Sequence, residues 1–179
     1  MPRLNIILFF LIFLSCNQST DPKSGLNKQD SISAVKNNTK IRRIIFGIYH
    51  GECGNDCATM FEYNMMGNVY TLLADYTDNY FKNHGEINFE TIINDNRKSL
   101  LASNIVEHIP NLLLTTTKDH EVFGCPDCTD GGGIYFEIVT ENGIKKFNID
   151  AITSKLSGDV KRFAEFLIPA IEELKKGTL

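Results

Sequence analysis

Four of the five cysteines stand as two close pairs, Cys53/Cys57 and Cys125/Cys128, and they are the residues whose type and spacing can do chemistry. In Cys125-Pro126-Asp127-Cys128, Pro at the second turn position and Asp at the third favour type I geometry. That turn brings the two Cα atoms within about 7 Å, near the upper limit for a disulfide and also the shape of a metal knuckle. Cys53 and Cys57 are too far apart if extended, but Gly54-Asn55-Asp56 is turn-forming and can fold them together. Three chemistries fit. Disulfides are the default if the chain is exported to an oxidising compartment. Local pairing closes small loops; cross-pairing ties the two cysteine segments together and is worth on the order of 4 kcal/mol in the chain-entropy model. Four thiolates can instead hold a tetrahedral zinc. His50, Glu52 and Asp56 beside the first pair also allow a mixed-ligand zinc or copper site. The third chemistry is thiol redox, which relies on a thiolate stabilised at a helix N-terminus. Here Thr129-Asp130-Gly131-Gly132-Gly133 and a strand-like run follow Cys128, so that support is missing. The glycine run lacks the Lys and helix of a phosphate loop and reads as room for a bulge or for close approach of another backbone.

Nothing else assembles into a reactive set. Gly-x-Ser-x-Gly, His-Glu-x-x-His and phosphate-binding motifs are absent, and His50, His84, His108 and His120 are scattered. Asp127, Asp130 and Glu137 near the glycines offer a cation site, but a solvated acidic loop is the simpler reading. No catalytic residue is assigned, and an enzyme is the less favoured class. A formal net charge of −4 without a basic cluster argues against nucleic acid as a partner.

The fifth cysteine has a different context. Arg3 precedes an apolar run, Leu4–Leu14, too short to span a bilayer stably, and small Ser15 precedes Cys16. Phe13-Leu14-Ser15-Cys16 resembles a bacterial lipobox, with Phe13 in place of the usual Leu. The resemblance implies cleavage before Cys16 and acylation of its thiol, hence an anchor in the inner or outer membrane of the cell envelope. Residues 17–40 are rich in Asn, Ser, Lys and Asp and read as a tether. A flexible chain of that length reaches about 27 Å. The organisation expected is thus a signal peptide (1–15), a lipidated cysteine and tether (16–40) and one domain (41–179). Its partners are the membrane, through the lipid, and an envelope protein or small ligand.

Within the domain the elements that must position the cysteines are legible. Ile41–Tyr49, Ala58–Asn64 and Val69–Tyr76 read as strands, the last two joined across Gly67-Asn68. Alternation over Ile87–Ile93 predicts a half-buried strand, and Leu112–Thr116 another short one. Asn94-Asp95-Asn96 offers caps for a helix from about Arg97 to Ile109. Ile134–Glu141, Asn142-Gly143 and Ile144–Asp150 read as a hairpin with a type I′ turn. Val160, Phe163, Ala164, Leu167, Ile168, Ile171 and Leu174 form the stripe of a final helix, capped by Ser157 or Asp159 and kinked or broken at Pro169. The class expected is α+β: a mostly antiparallel sheet of about five or six strands with two main helices on one face.

Phe46-Gly47, the Glu52–Cys57 loop and the run Gly124-Cys125-Pro126-Asp127-Cys128-Thr129-Asp130-Gly131-Gly132-Gly133-Ile134-Tyr135 together resemble a group of uncharacterised lipoproteins of Bacteroidota-type bacteria. The similarity spans most of residues 41–175, and the Asn-, Ile- and Lys-rich composition fits such a source. It implies no known activity and carries over no catalytic or binding residue.

Overall fold

The computed structural model describes residues 40–51, 57–67, 69–78, 89–126, 128 and 131–177. The leader, the tether up to residue 39, Cys16, Cys53, Ile87, Asp127 and Asp130 lie outside the described residues.

One sheet organises the domain. In chain order its strands are β1 (Ile41–Tyr49), β2 (Ala58–Met66), β3 (Val69–Asp75), β4 (Thr91–Ile92), β5 (His120–Phe123), β6 (Gly133–Thr140) and β7 (Gly143–Asp150). Across the sheet they run β4-β3-β2-β1-β6-β7-β5. Every pair is antiparallel except β5 with β7. Among the described residues seven strands therefore stand where about five or six were expected. The added one is β5, four residues of mixed polarity at the edge.

The β-branched and aromatic run of β1 makes it the central strand, with Phe46 paired to Phe61 on one side and to Phe136 on the other. These rings, with Ile44, Ile138, Phe147 and Ile149, form an apolar face that is fully excluded from water. Three helices cover that face: α1 (Asn96–His108), α2 (Asn111–Thr115) and α3 (Gly158–Lys175). In α3 the stripe Val160, Phe163, Ala164, Leu167, Ile171 and Leu174 is buried, and Phe163 meets Phe136 edge-on at 4.9 Å. The architecture is α+β with its helices on one side.

The helix ends follow their local chemistry. Asp95 caps α1, accepting from the amides of Arg97 (2.8 Å) and Lys98 (3.3 Å). Lys98 Nζ donates to the carbonyls of Leu174 (2.7 Å) and Lys176 (2.6 Å), neutralising the negative end of α3. Ser157 is the N-cap residue of α3, but its side chain makes no capping bond.

Four expectations are corrected. Leu112–Thr116 lies in a helix rather than a strand: Asn111–Thr115 follows Pro110, which is suited to a helix start. Leu113 and Leu114 turn into the core, and Lys145 Nζ takes up the carbonyls of Leu114 and Thr116 at its end. The strand expected over Ile87–Ile93 contracts, within the described residues, to Thr91–Ile92. The last hairpin turns at Glu141-Asn142, with Thr140 opposite Gly143. Neither turn residue has a positive φ, so no type I′ turn forms; the left-handed freedom is used by Gly143, at φ 139°. Finally, α3 runs unbroken through Pro169. Pro169 is exposed, as is Glu165, whose carbonyl loses its partner to the ring and can turn to water.

Candidate functional site

The sheet brings the cysteines to one end. Tyr49 closes β1 opposite Ala58 at the start of β2 and opposite Gly133 at the start of β6, and Gly133 faces Asp150 at the end of β7. Cys57 directly precedes Ala58, and the Cys125–Cys128 segment lies between β5 and β6. Cys125 and Cys128 are joined as a disulfide, with Cα atoms 5.4 Å apart and the amide of Cys128 donating to the carbonyl of Cys125 at 3.3 Å. The turn read from Pro126 and Asp127 thus closes locally, and cross-pairing of either residue with the first segment does not occur. Cys57 is disulfide-bonded too, to a partner outside the described residues.

Two buried aspartates pin the two cysteine segments. Asp150 is 2% exposed; it accepts from the amide of Cys125 at 2.9 Å and from that of Ile152 at 2.8 Å, with Lys155 Nζ at 3.8 Å. Burial pushes its carboxyl up, but the two amides and the Lys155 ammonium outweigh that and hold it below the usual carboxylate range. On the other side Asp78, at φ 57°, accepts from the amide of Ala58 at 2.8 Å. The amide of His50 donates to the carbonyl of Cys57 at 2.8 Å, closing the first loop at its neck.

The glycines fit this corner tightly. A Cβ on Gly132, at φ 69°, would strike the carbonyl of Tyr49 and stand 2.6 Å from His50 Cα. The close backbone approach expected of the glycine run is real: it comes from Tyr49–His50, the chain leading into the first cysteine loop. A Cβ on Gly133 would lie 2.8 Å from both Pro126 Cβ and the Tyr49 hydroxyl oxygen. One on Gly124, at φ 75°, would lie 2.6 Å from Asp150 Cβ.

This corner is built to hold a bonded pair. Cys125 and Cys128 are exposed, β6 rather than a helix follows them, and a carboxylate accepts from the Cys125 amide. Four-thiolate ligation would need the bond reduced first. Among the described residues, no three His, Cys, Asp or Glu side chains gather as a metal site. His50 is exposed, while Glu52 and Asp56 lie outside the described residues.

A second polar constellation, unread in the sequence, crosses the sheet face opposite the helices. Glu62, Ile45, Glu137 and Lys146 occupy neighbouring positions on β2, β1, β6 and β7. Arg43 reaches Glu62 at 3.2 Å and Glu137 at 3.8 Å. The Tyr135 hydroxyl donates to Glu137 at 2.6 Å, and Lys146 stands 3.9 Å from the same oxygen. Burial pushes the Glu62 carboxyl up, against the lowering pull of Arg43. Glu137, a candidate cation ligand by sequence, is engaged by Arg43, Lys146 and Tyr135. His108 ends α1, its Nδ1 2.8 Å from the carbonyl of Asn104 and its ring stacked on Phe166 at 4.0 Å. His120 lies exposed on β5, 3.3 Å from Asn148.

Compared with protein-family models, with curated proteins and with solved structures, the chain matches none.

Proposed function

We propose that the chain is an exported, lipid-anchored protein of the cell envelope, cut before Cys16, acylated there and tethered by residues 17–40. Its domain is a disulfide-stapled module that binds an envelope partner or small ligand, or has a structural role. The observation that carries this reading is the exposed Cys125–Cys128 disulfide at a corner shaped around it. Such bonds persist where thiols meet an oxidant rather than glutathione, which is the destination of a leader such as Leu4–Leu14. Cys53 is the natural partner for Cys57, because the Gly54-Asn55-Asp56 sequence between them is turn-forming by composition. Engagement of Glu62 and Glu137 by Arg43 favours binding or scaffolding over catalysis. Among the described residues no helix is long and apolar enough to cross a membrane, so the anchor in this reading is the lipid.

Intact-mass analysis of the purified, unreduced protein tests the proposal. A mass beginning at an acylated Cys16 and no reactive thiols is the expected result. Four free thiols with stoichiometric zinc or copper would replace the stapled module by a metalloprotein. A mass retaining the leader, in the cytosolic fraction, would remove the anchor. Turnover of a model disulfide by the reduced protein would favour the thiol-redox alternative.

A further inference from the structure

Exposed apolar side chains mark the end of the sheet where the chain enters it. Met66, Val69 and Tyr70 are 63%, 66% and 61% exposed at the tip of the β2–β3 hairpin. Pairing of Arg43 with Asn64 sets Met66 level with Ile41, one strand away, and Lys40 immediately precedes Ile41. On the other side of β1, Ile144 is 45% exposed beside the turn of the last hairpin. The disulfide corner lies at the opposite end of the strands. Lys40 and Arg42 flank the entry and share one carboxylate, Glu141, at 3.1 and 3.5 Å, which leaves one positive charge over.

We infer that this end of the domain is a membrane-contacting surface, with Met66, Val69 and Tyr70 resting in the interface of the bilayer that holds the lipid on Cys16. The inference rests on the anchored reading above and adds the orientation of the domain. Residues 17–40 read by composition as a tether, and a flexible chain of that length reaches about 27 Å, so in this reading the entry end is the part of the domain held nearest the acyl chains. Tethering makes the second contact intramolecular, at an effective concentration in the millimolar range, so three side chains suffice where a free domain would need far more. Valine and methionine supply apolar area, and tyrosine has a ring for the acyl boundary and a hydroxyl for the headgroups. The surplus cation at Lys40 and Arg42 suits anionic lipid. The disulfide corner then faces away from the membrane.

The chain has no tryptophan, so single reporters are clean. Full-length lipidated Val69→Trp, Tyr70→Trp and Val122→Trp proteins are reconstituted into phosphatidylcholine–phosphatidylglycerol vesicles with brominated acyl chains. Val122, 51% exposed on β5, lies five strand spacings from β3, about 24 Å away, and serves as control. Expected are blue-shifted emission and at least about twofold stronger quenching at positions 69 and 70 than at 122. Co-flotation with equal quenching at all three overturns the surface while sparing the anchor. Failure to co-float overturns both. A blue shift at 69 without vesicles, together with a dimer in sedimentation, makes the tip a self-interface and overturns the membrane contact. Tyr70→Trp conserves an aromatic ring, so its result stands if Val69→Trp fails to fold.

Discussion

Replacing Asp150 by asparagine tests the construction of the cysteine corner. The carboxylate gives Oδ2 to the amide of Cys125 and Oδ1 to that of Ile152. An asparagine has one oxygen, so its NH₂ must face one of the two donors. Losing a charged acceptor and stranding one amide costs about 1–3 kcal/mol. Lys155 is 39% exposed, so losing its pairing adds at most about 1 kcal/mol, screened by salt. For a domain between the 100- and 200-residue classes, the resulting total of about 1–4 kcal/mol lowers Tm by roughly 4–16 °C. The sign of the pH dependence follows from the lowered carboxyl. Between its folded value and the unfolded value near ~3.9, the unfolded chain binds more protons, so stability rises with pH in that window. The Asp150 contribution is complete above about pH 4 and is lost as pH falls through the folded value. Urea unfolding followed by circular dichroism at pH 7 and at pH 3 should show the gap between wild type and Asp150→Asn narrowing in acid. A cycle with Cys125→Ser/Cys128→Ser should show a coupling of at least ~0.5 kcal/mol, because Asp150 acts partly through the Cys125 amide. Asp150→Asn within ~0.5 kcal/mol of wild type at pH 7 would refute the reasoning, since that is the scatter of unremarkable surface changes.

Three further outcomes follow from the same geometry. Cys125→Ser/Cys128→Ser should cost no more than about 2 kcal/mol in urea unfolding, because a loop closed by residues three apart removes little chain entropy. Gly132→Ala combines a left-handed φ with a collision against Tyr49–His50, and should lower Tm more than the double serine variant or leave the protein insoluble on expression. Glu62 has the opposite sign to Asp150. Its raised carboxyl makes the folded state bind more protons above the ordinary range near ~4.3, so stability falls as pH rises through the folded value. Glu62→Gln should flatten that slope in denaturation curves taken between pH 4 and 8, and carboxyl NMR titration of wild type should place Glu62 above free glutamate.

The elements made by local pattern were legible, and those made by distant pairing were not. Ile41–Tyr49 read as a strand because six of its nine residues are β-branched or aromatic, and α3 read as a helix because its stripe repeats over four turns. His120–Phe123 carried no such signal: its four residues become a strand only through parallel pairing with β7. Leu112–Thr116 misled because three leucines followed by threonines are too short a run to show a period. The misplaced last turn moved the expected pairing by two residues, which preserves the faces but changes the neighbours. Glu137 then opposes Asn148 rather than Lys146, its actual partner, and the ion row disappears from view. Asp150 was equally hidden, because its partner amide at Cys125 is 25 residues away. In the cysteine set, the closure of Cys125 with Cys128 was readable from the turn between them, but the choice over cross-pairing was not, since it depends on which strands separate the loops.

The parallel pairing of β5 with β7 orders events as the chain matures. Residues 120–123 emerge before β6 and β7, yet among the described residues their one ladder is to β7, so they wait until the last hairpin has closed. Cys125 and Cys128, three positions apart, need no such wait. In the exported reading proposed above, oxidation can run ahead of assembly, and the late-docking edge strand then arrives carrying a turn that is already closed.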